Sequence, residues 1–191
     1  MCHVLVNVET GTAELPFPSK NVLVCPRETQ WLRGFSVAEE HNHWHENGVK
    51  VISGDHLDTN TAQTPGMNRA AAINLATAGA QKLWAGTVQI HADAKTGAHH
   101  HGDLESIIYI ISGKARMRWG EKLEYVAEAG PGDFIFVPPY VPHQEINAND
   151  DEPLNCVLVR SGQDPVVVNL DIPVIEEPDG LHWVDPIHPA P

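Results

Sequence analysis

The chain has 191 residues, 42% of them hydrophobic, enough for one domain with a sizeable core plus extensions. Its formal net charge of −13 repels phosphate backbones and argues against nucleic acid as a partner. No apolar run approaches the ~18 residues needed to cross a bilayer, which argues against a membrane partner, and the first residues lack the basic and apolar stretches of a signal peptide.

Residues 1–47 read as an irregular N-terminal extension. Short apolar runs such as Val4-Leu5-Val6 are interrupted by Pro16, Pro18 and Pro26. His41, His43 and His45 alternate, so an extended segment would carry them on one face. No carboxylate or distant His completes a ligand set there, and a solvated linker is the expectation. From Val49 the texture becomes regular. Residues 49–52 read as a strand and 53–66 as a loop. Residues 68–79 are ambiguous: the alanine content argues for a helix stopped by Gly79, while the length also suits a strand.

Strand signals then repeat at short intervals, over 83–91, 105–112, 114–119, 123–127, 133–137, 143–147, 154–160 and 166–170. Turn residues separate them, as at Ser112-Gly113, Gly120-Glu121 and Gly130-Pro131-Gly132. Short strands at such spacing, without intervening helices, predict an all-β sandwich or barrel. Lys114, Arg116 and Arg118 alternate with Ala115, Met117 and Trp119, which predicts a half-buried strand with a solvated cationic face. Residues 107–111 are apolar on both faces. Such a strand needs a cover on its outer side, and a homodimer supplies one. The tail, 173–191, is broken by prolines yet apolar at Leu181, Trp183, Val184 and Ile187. It is expected to run extended over the barrel or over a partner subunit. His182 and His188 read as surface residues.

The chemistry concentrates in residues 97–147. His99 and His101 are spaced i and i+2, which on a strand places both imidazoles on one face, roughly 6–7 Å apart, and sends His100 the other way. Imidazoles with a nearby carboxylate make a mixed N/O site for a first-row transition metal. The segment with Gly132, Pro138, His143 and Asn147 resembles the second motif of the cupin family, G(X)5PXG(X)2H(X)3N, with Tyr140 standing where that family usually has Gly. His99, His101, Glu105 and Gly113 resemble its first motif, HXH(X)3,4E(X)6G. Here seven residues separate Glu105 from Gly113, and Asp93 stands at the leading Gly. Counting back from Gly113 puts the carboxylate position on Ser106. Both counts hold if a bulge absorbs one residue.

The resemblance implies a cupin jelly-roll β-barrel over residues 48–172 and favours the strand reading of 68–79. It implies that His99, His101, Glu105 and His143 hold one divalent first-row metal per chain, be it iron, manganese, nickel, copper or zinc. It is similar to small cupins that include accessory proteins of polyketide biosynthesis, and cupins of this kind commonly dimerise.

Other chemistries lack their motifs. There is no Gly-rich phosphate loop and no G-x-S-x-G elbow. Cys2, Cys25 and Cys156 are odd in number and widely spaced, which suits a reducing, cytoplasmic location; Cys156 lies in an apolar strand and reads as a core thiol. Four functional classes remain: a metal-dependent oxygenase, of dioxygenase type, on a small organic molecule; a non-redox lyase, decarboxylase or isomerase using the metal as a Lewis acid; a non-catalytic small-molecule-binding or accessory cupin; and a metal that chiefly braces the fold. The oxygenase leads, because three His and one carboxylate leave coordination positions free, as a closed structural site would not. Because the barrel pattern begins near Val49, deleting residues 1–47 is expected to leave a soluble protein with a β-type circular dichroism spectrum and bound metal. An insoluble product would make the extension part of the core.

Overall fold

The computed structural model describes residues 48–173 and 180–184. The expected extension, 1–47 with His41, His43 and His45, lies outside the described residues, as does His188. Eleven strands are formed among them: β1 (Met67–Ile73), β2 (Trp84–Ile90), β3 (His99–His100), β4 (Ser106–Ser112), β5 (Ala115–Trp119), β6 (Tyr125–Ala129), β7 (Phe134–Val137), β8 (His143–Asn147), β9 (Leu154–Arg160), β10 (Val168–Asn169) and β11 (His182–Trp183). One sheet runs β1-β2-β9-β4-β7 and the other β10-β3-β8-β5-β6-β11. All neighbours are antiparallel except β11, which joins β6 in parallel and so lays the tail along the barrel. This is the all-β, two-sheet jelly roll that the resemblance implies.

Side-chain alternation fills the space between the sheets. On β9, Leu154, Cys156, Leu158 and Arg160 are buried and the residues between them are less so. Leu154, Cys156 and Leu158 meet Val88, Ile90, Ile108, Ile110, Met117 and Val137 in one apolar cluster. Removing a side chain such as Ile110 from water stabilises the fold by about 1.5–3 kcal/mol. Cys156 is a core thiol, as its apolar neighbours predict. Burial, with the Glu145 charge adding to it, pushes its pKa up to about 12.

The ambiguous stretch 68–79 contains both answers. β1 occupies its first part, and Asn74 then caps a single helical turn, α1 (Leu75–Ala78). Asn74 accepts from the Thr77 backbone N–H, the Thr77 hydroxyl accepts from the Asn74 N–H, and Gly79 closes the turn in the left-handed region.

Three expectations are corrected. Residues 49–52 form no strand. Val49 and Val51 are 100% and 90% exposed, because no neighbouring strand receives their backbone bonds. The strand expected over 123–127 begins at Tyr125, because Leu123, with φ 56° and fully buried, still belongs to the turn after Gly120. The cationic face of β5 is not solvated. Arg118 is buried and donates from Nε to the Leu123 carbonyl at 2.9 Å. Arg116 donates to Glu128 and lies 5.5 Å from the Trp183 ring centroid, and Lys114 also pairs with Glu128. Burial alone would raise the Glu128 carboxyl; these two cations hold it below the usual range.

Both positions at which the chain lacks the family's glycine keep a glycine-like backbone, with φ 55° at Asp93 and 59° at Tyr140. Asp enters this region readily, whereas Tyr pays about 1–2 kcal/mol of strain there. Gly113 keeps its glycine for two reasons, a φ of 87° and a Cβ site 2.9 Å from both the Leu154 Cα and the Pro153 carbonyl oxygen. Tyr140→Gly is therefore expected to leave stability unchanged within ~1 kcal/mol, since relief of strain offsets the added freedom of the unfolded chain. Gly113→Ala should cost more than ~2 kcal/mol. Denaturant unfolding of both variants checks this, and a larger loss at Tyr140→Gly would mean that the ring's packing beside His100 outweighs the strain.

Candidate metal centre

The centre is made by one pairing. β3 is two residues long and runs between β10 and β8, with His99 directly opposite His143. That cross-strand register brings the two imidazole centroids to 4.4 Å. The His101 ring lies 4.9 Å from that of His99 and 5.1 Å from that of His143. All three residues are buried, and each offers a ring nitrogen within 4.8 Å of the others.

Backbone carbonyls fix the tautomers. Nδ1 of His99 lies 2.9 Å from the Gly97 oxygen, Nδ1 of His101 2.8 Å from that of Val166, and Nδ1 of His143 2.8 Å from that of Val141. A carbonyl oxygen only accepts, so each Nδ1 carries the proton and each Nε2 presents its lone pair. This is how metal-ligating histidines are held by their surroundings. The Nε2 of His143 is buried and has no hydrogen-bond partner, which suits a lone pair directed at a cation. The three residues fit a single metal ion.

Burial favours the neutral form of the His101 and His143 rings. It lowers the His101 pKa to about 3, with the Arg160 charge adding to the effect and the Val166 carbonyl opposing it. Burial likewise lowers the His143 value, although the Glu145 carboxylate opposes it. Ligand lone pairs are thus available at neutral pH without displacing protons.

Of the expected ligands, His99, His101 and His143 are brought together and Glu105 is not. Glu105 is exposed, one residue before β4, and its backbone N–H donates to the Ser161 hydroxyl at 2.9 Å. Pleat alternation turns Ser106, Ile108 and Ile110 inward, which leaves Glu105 on the outer side. The β4–β9 register does shift, between Ile110 and Ser112, so the extra residue is absorbed beyond the point that sets the direction of Glu105. His100 points away from the centre. Its Nδ1 accepts from the Gly102 N–H, and its ring lies 5.9 Å from that of Tyr140.

Three charged residues near the centre went unnoticed in the sequence. Glu145, two after His143 on β8, faces inward and is buried. Burial would raise its carboxyl, but His143, His99, Arg69 and His101 together hold it below the usual range. Arg160 ends β9 on the buried side, its Nη2 3.3 Å from His101 Nε2 and its Nε 3.4 Å from the Ser106 hydroxyl. Arg69 on β1 completes the set. The available signal was alternation: Glu145 shares the face of His143, and Arg160 that of Leu154, Cys156 and Leu158.

The centre opens on a cavity of about 750 Å3 between the two sheets, lined among others by Met117, Trp119, Ile135, Val137, Val141 and His143. The sequence pattern of the cupin domain family matches residues 86–160, which span β2 to β9 and all three histidines. No curated protein matches the sequence. Among solved structures, this chain is similar to the polyketide cyclase RemF from Streptomyces resistomycificus, at 20% identity and a TM-score of 0.56 over 70% of this chain and 98% of that one. It is similar to an uncharacterized double-stranded β-helix protein from Klebsiella pneumoniae, at 17% identity and a TM-score of 0.50 over 64% and 98%. An oxalate decarboxylase aligns at 22% identity and a TM-score of 0.51 over 60% of this chain, which spans only 31% of that protein. At these identities the likeness is one of fold.

The ligand geometry predicts a simple scan. His99→Ala, His101→Ala and His143→Ala should each lose stoichiometric metal, while His100→Ala and Glu105→Ala should keep it with affinity within about threefold of wild type. Elemental analysis and metal titration of the demetallated variants check this. Loss of metal in His100→Ala, or a tenfold weakening in Glu105→Ala, would contradict the register described here.

Proposed function

We propose that the protein is a metal-dependent oxygenase acting on a small organic molecule, with one divalent first-row ion per chain held by His99, His101 and His143. The observation that carries this reading is the junction of the three inward Nε2 lone pairs with the 750 Å3 cavity, whose wall includes His143. A cavity of that size accommodates a small organic ligand, and three protein ligands leave coordination positions open on the cavity side. When bound, a redox-active ion would supply dioxygen activation. The chain's own part is to hold His101 and His143 neutral, exclude water with Met117, Trp119, Ile135 and Val137, and orient the substrate against the His143 side of the centre.

A second reading, Lewis-acid chemistry without dioxygen, is favoured by one observation. Among the described residues no carboxylate joins the three-histidine cluster, and three histidines form the ligand set of one kind of catalytic zinc site, that of carbonic anhydrase, whereas two histidines and a carboxylate mark non-haem iron oxygenases. The fold-level likeness to a polyketide cyclase and an oxalate decarboxylase is compatible with such chemistry. Metal analysis of untagged protein, followed by dioxygen-electrode assays with candidate substrates, separates the two. Dioxygen consumed in proportion to substrate supports the oxygenase. Turnover that persists without dioxygen supports the Lewis acid, and metal binding without turnover of any substrate supports an accessory binding role.

The partner reading concerns the outer face of the β1-to-β7 sheet. Phe134 and Phe136 on β7 are 72% and 57% exposed and pair with Tyr109 and Ile107 on β4, and Ile111 adds to the same face. A contiguous apolar surface of this kind is commonly covered by another chain, and a second copy is the proposed cover. Light scattering at micromolar concentration should give twice the 20.9 kDa monomer mass, and Phe134→Glu with Phe136→Glu should return it to the monomer value. A wild-type monomer would exclude the homodimer.

A further inference from the structure

Besides the apolar cavity, the structure holds a second one of about 380 Å3, lined by Arg69, Trp84, Asn74, Arg160 and Gln163 among others. It reaches the centre from another side, because the Arg160 guanidinium that lines it also lies 3.3 Å from His101 Nε2. The two guanidiniums are poorly partnered. Arg160 makes two long contacts, to Ser106 and His101, and Arg69 Nη2 has only the Met67 sulfur at 3.9 Å. The Arg69 Nε is buried without a hydrogen-bond partner. Among the described residues, the ion pairs with carboxylates involve other cations, such as Lys114 and Arg116 with Glu128, and neither of these two arginines.

The charge count around the centre is therefore unbalanced. Arg69 and Arg160 are close enough to repel each other, and Glu145 is the one buried carboxylate whose charge opposes them. Ser106, on which the motif count back from Gly113 puts the carboxylate position, has the Arg160 Nε 3.4 Å from its hydroxyl. An interior with unpaired guanidiniums is costly unless an anion enters. A guanidinium offers parallel N–H groups that match the two oxygens of a carboxylate.

We infer that Arg69 and Arg160 are an anion-recognition pair, which receives the carboxylate of the small molecule and sets it beside the three-histidine centre. This deepens the proposed function and rests on it for the presence of the metal. The molecule would thus be an organic carboxylate whose body lies against Trp84 or extends across the centre towards Met117. Arg160 acts as a specificity residue, since its guanidinium can turn from His101 Nε2 to the anion once that lone pair is taken by the ion.

Benzoate, its neutral isostere benzamide and inorganic phosphate are the probes, titrated calorimetrically into metal-loaded and metal-stripped protein with metal content measured in the same samples. Benzoate should bind at least tenfold more tightly than benzamide. Arg160→Met and Arg69→Met should each weaken benzoate at least tenfold without changing metal content, and Arg160→Lys, which keeps a charge and guards against a merely misfolded variant, should bind better than Arg160→Met. Equal benzoate affinity in wild type and both Met variants, or equal affinity for benzoate and benzamide, would overturn the pair. Phosphate binding tenfold tighter than benzoate would overturn the carboxylate assignment. Arginine-dependent benzoate binding in a protein that takes up no metal would overturn the metal centre and leave the pair standing.

Discussion

The structure turns on the pairing of a two-residue strand, β3, with β8. This one contact sets His99 opposite His143, and His101 follows directly behind. Short strands have little cohesion of their own, so β3 is held from both sides, by β8 and by β10. The carbonyls of Gly97, Val141 and Val166 then lock each ring about its Nδ1. The larger sheet elements provide the stability that lets so short a strand be placed accurately. Long antiparallel ladders between β2 and β9 and between β4 and β9 form the rigid wall facing it.

Around that centre the barrel interior is divided by polarity. One side is the apolar cavity under β5 and β7; the other is cationic, with Arg160 at the end of β9 and Arg69 on β1. Glu145 lies between them and tempers, without neutralising, the positive potential. Such an interior favours an amphiphilic guest, with an apolar body on one side and an anionic end on the other. The same low-polarity surroundings favour the neutral forms of His101 and His143 and push the Cys156 thiol pKa up.

Much of this was legible in the sequence, and what was not has a physical reason. Strand positions followed from alternation and turn residues, and the bounds of 143–147 and 154–160 agree with β8 and β9. His99 and His101 were legible because i, i+2 spacing fixes a common face whatever the rest of the fold does, and His143 through the motif it shares with Gly132, Pro138 and Asn147. The direction of Glu105 was not, since it depends on where a register shift falls within β4, and spacing counts cannot locate a bulge. Residues 49–52 looked like a strand because apolar β-branched residues report propensity, whereas a strand also needs a neighbour to bond. Arg118 was read as surface and Arg160 passed over, because burial of a guanidinium depends on how the chain folds over it, by the nearby turn for Arg118 and by β4 for Arg160. The Leu123 carbonyl receives Arg118 and Ser106 receives Arg160.

The backbone clamps on the three histidines carry an evolutionary consequence. In many metal sites a side-chain carboxylate holds the ligand ring, so one codon change can release it. Here the holding groups are peptide oxygens of Gly97, Val141 and Val166, which every substitution other than a break in the chain preserves. Mutations can therefore accumulate in the cavity walls, altering shape and charge, while the ligands keep their aim. A scaffold arranged in this way can trade one guest molecule for another in small steps, with its chemistry intact throughout.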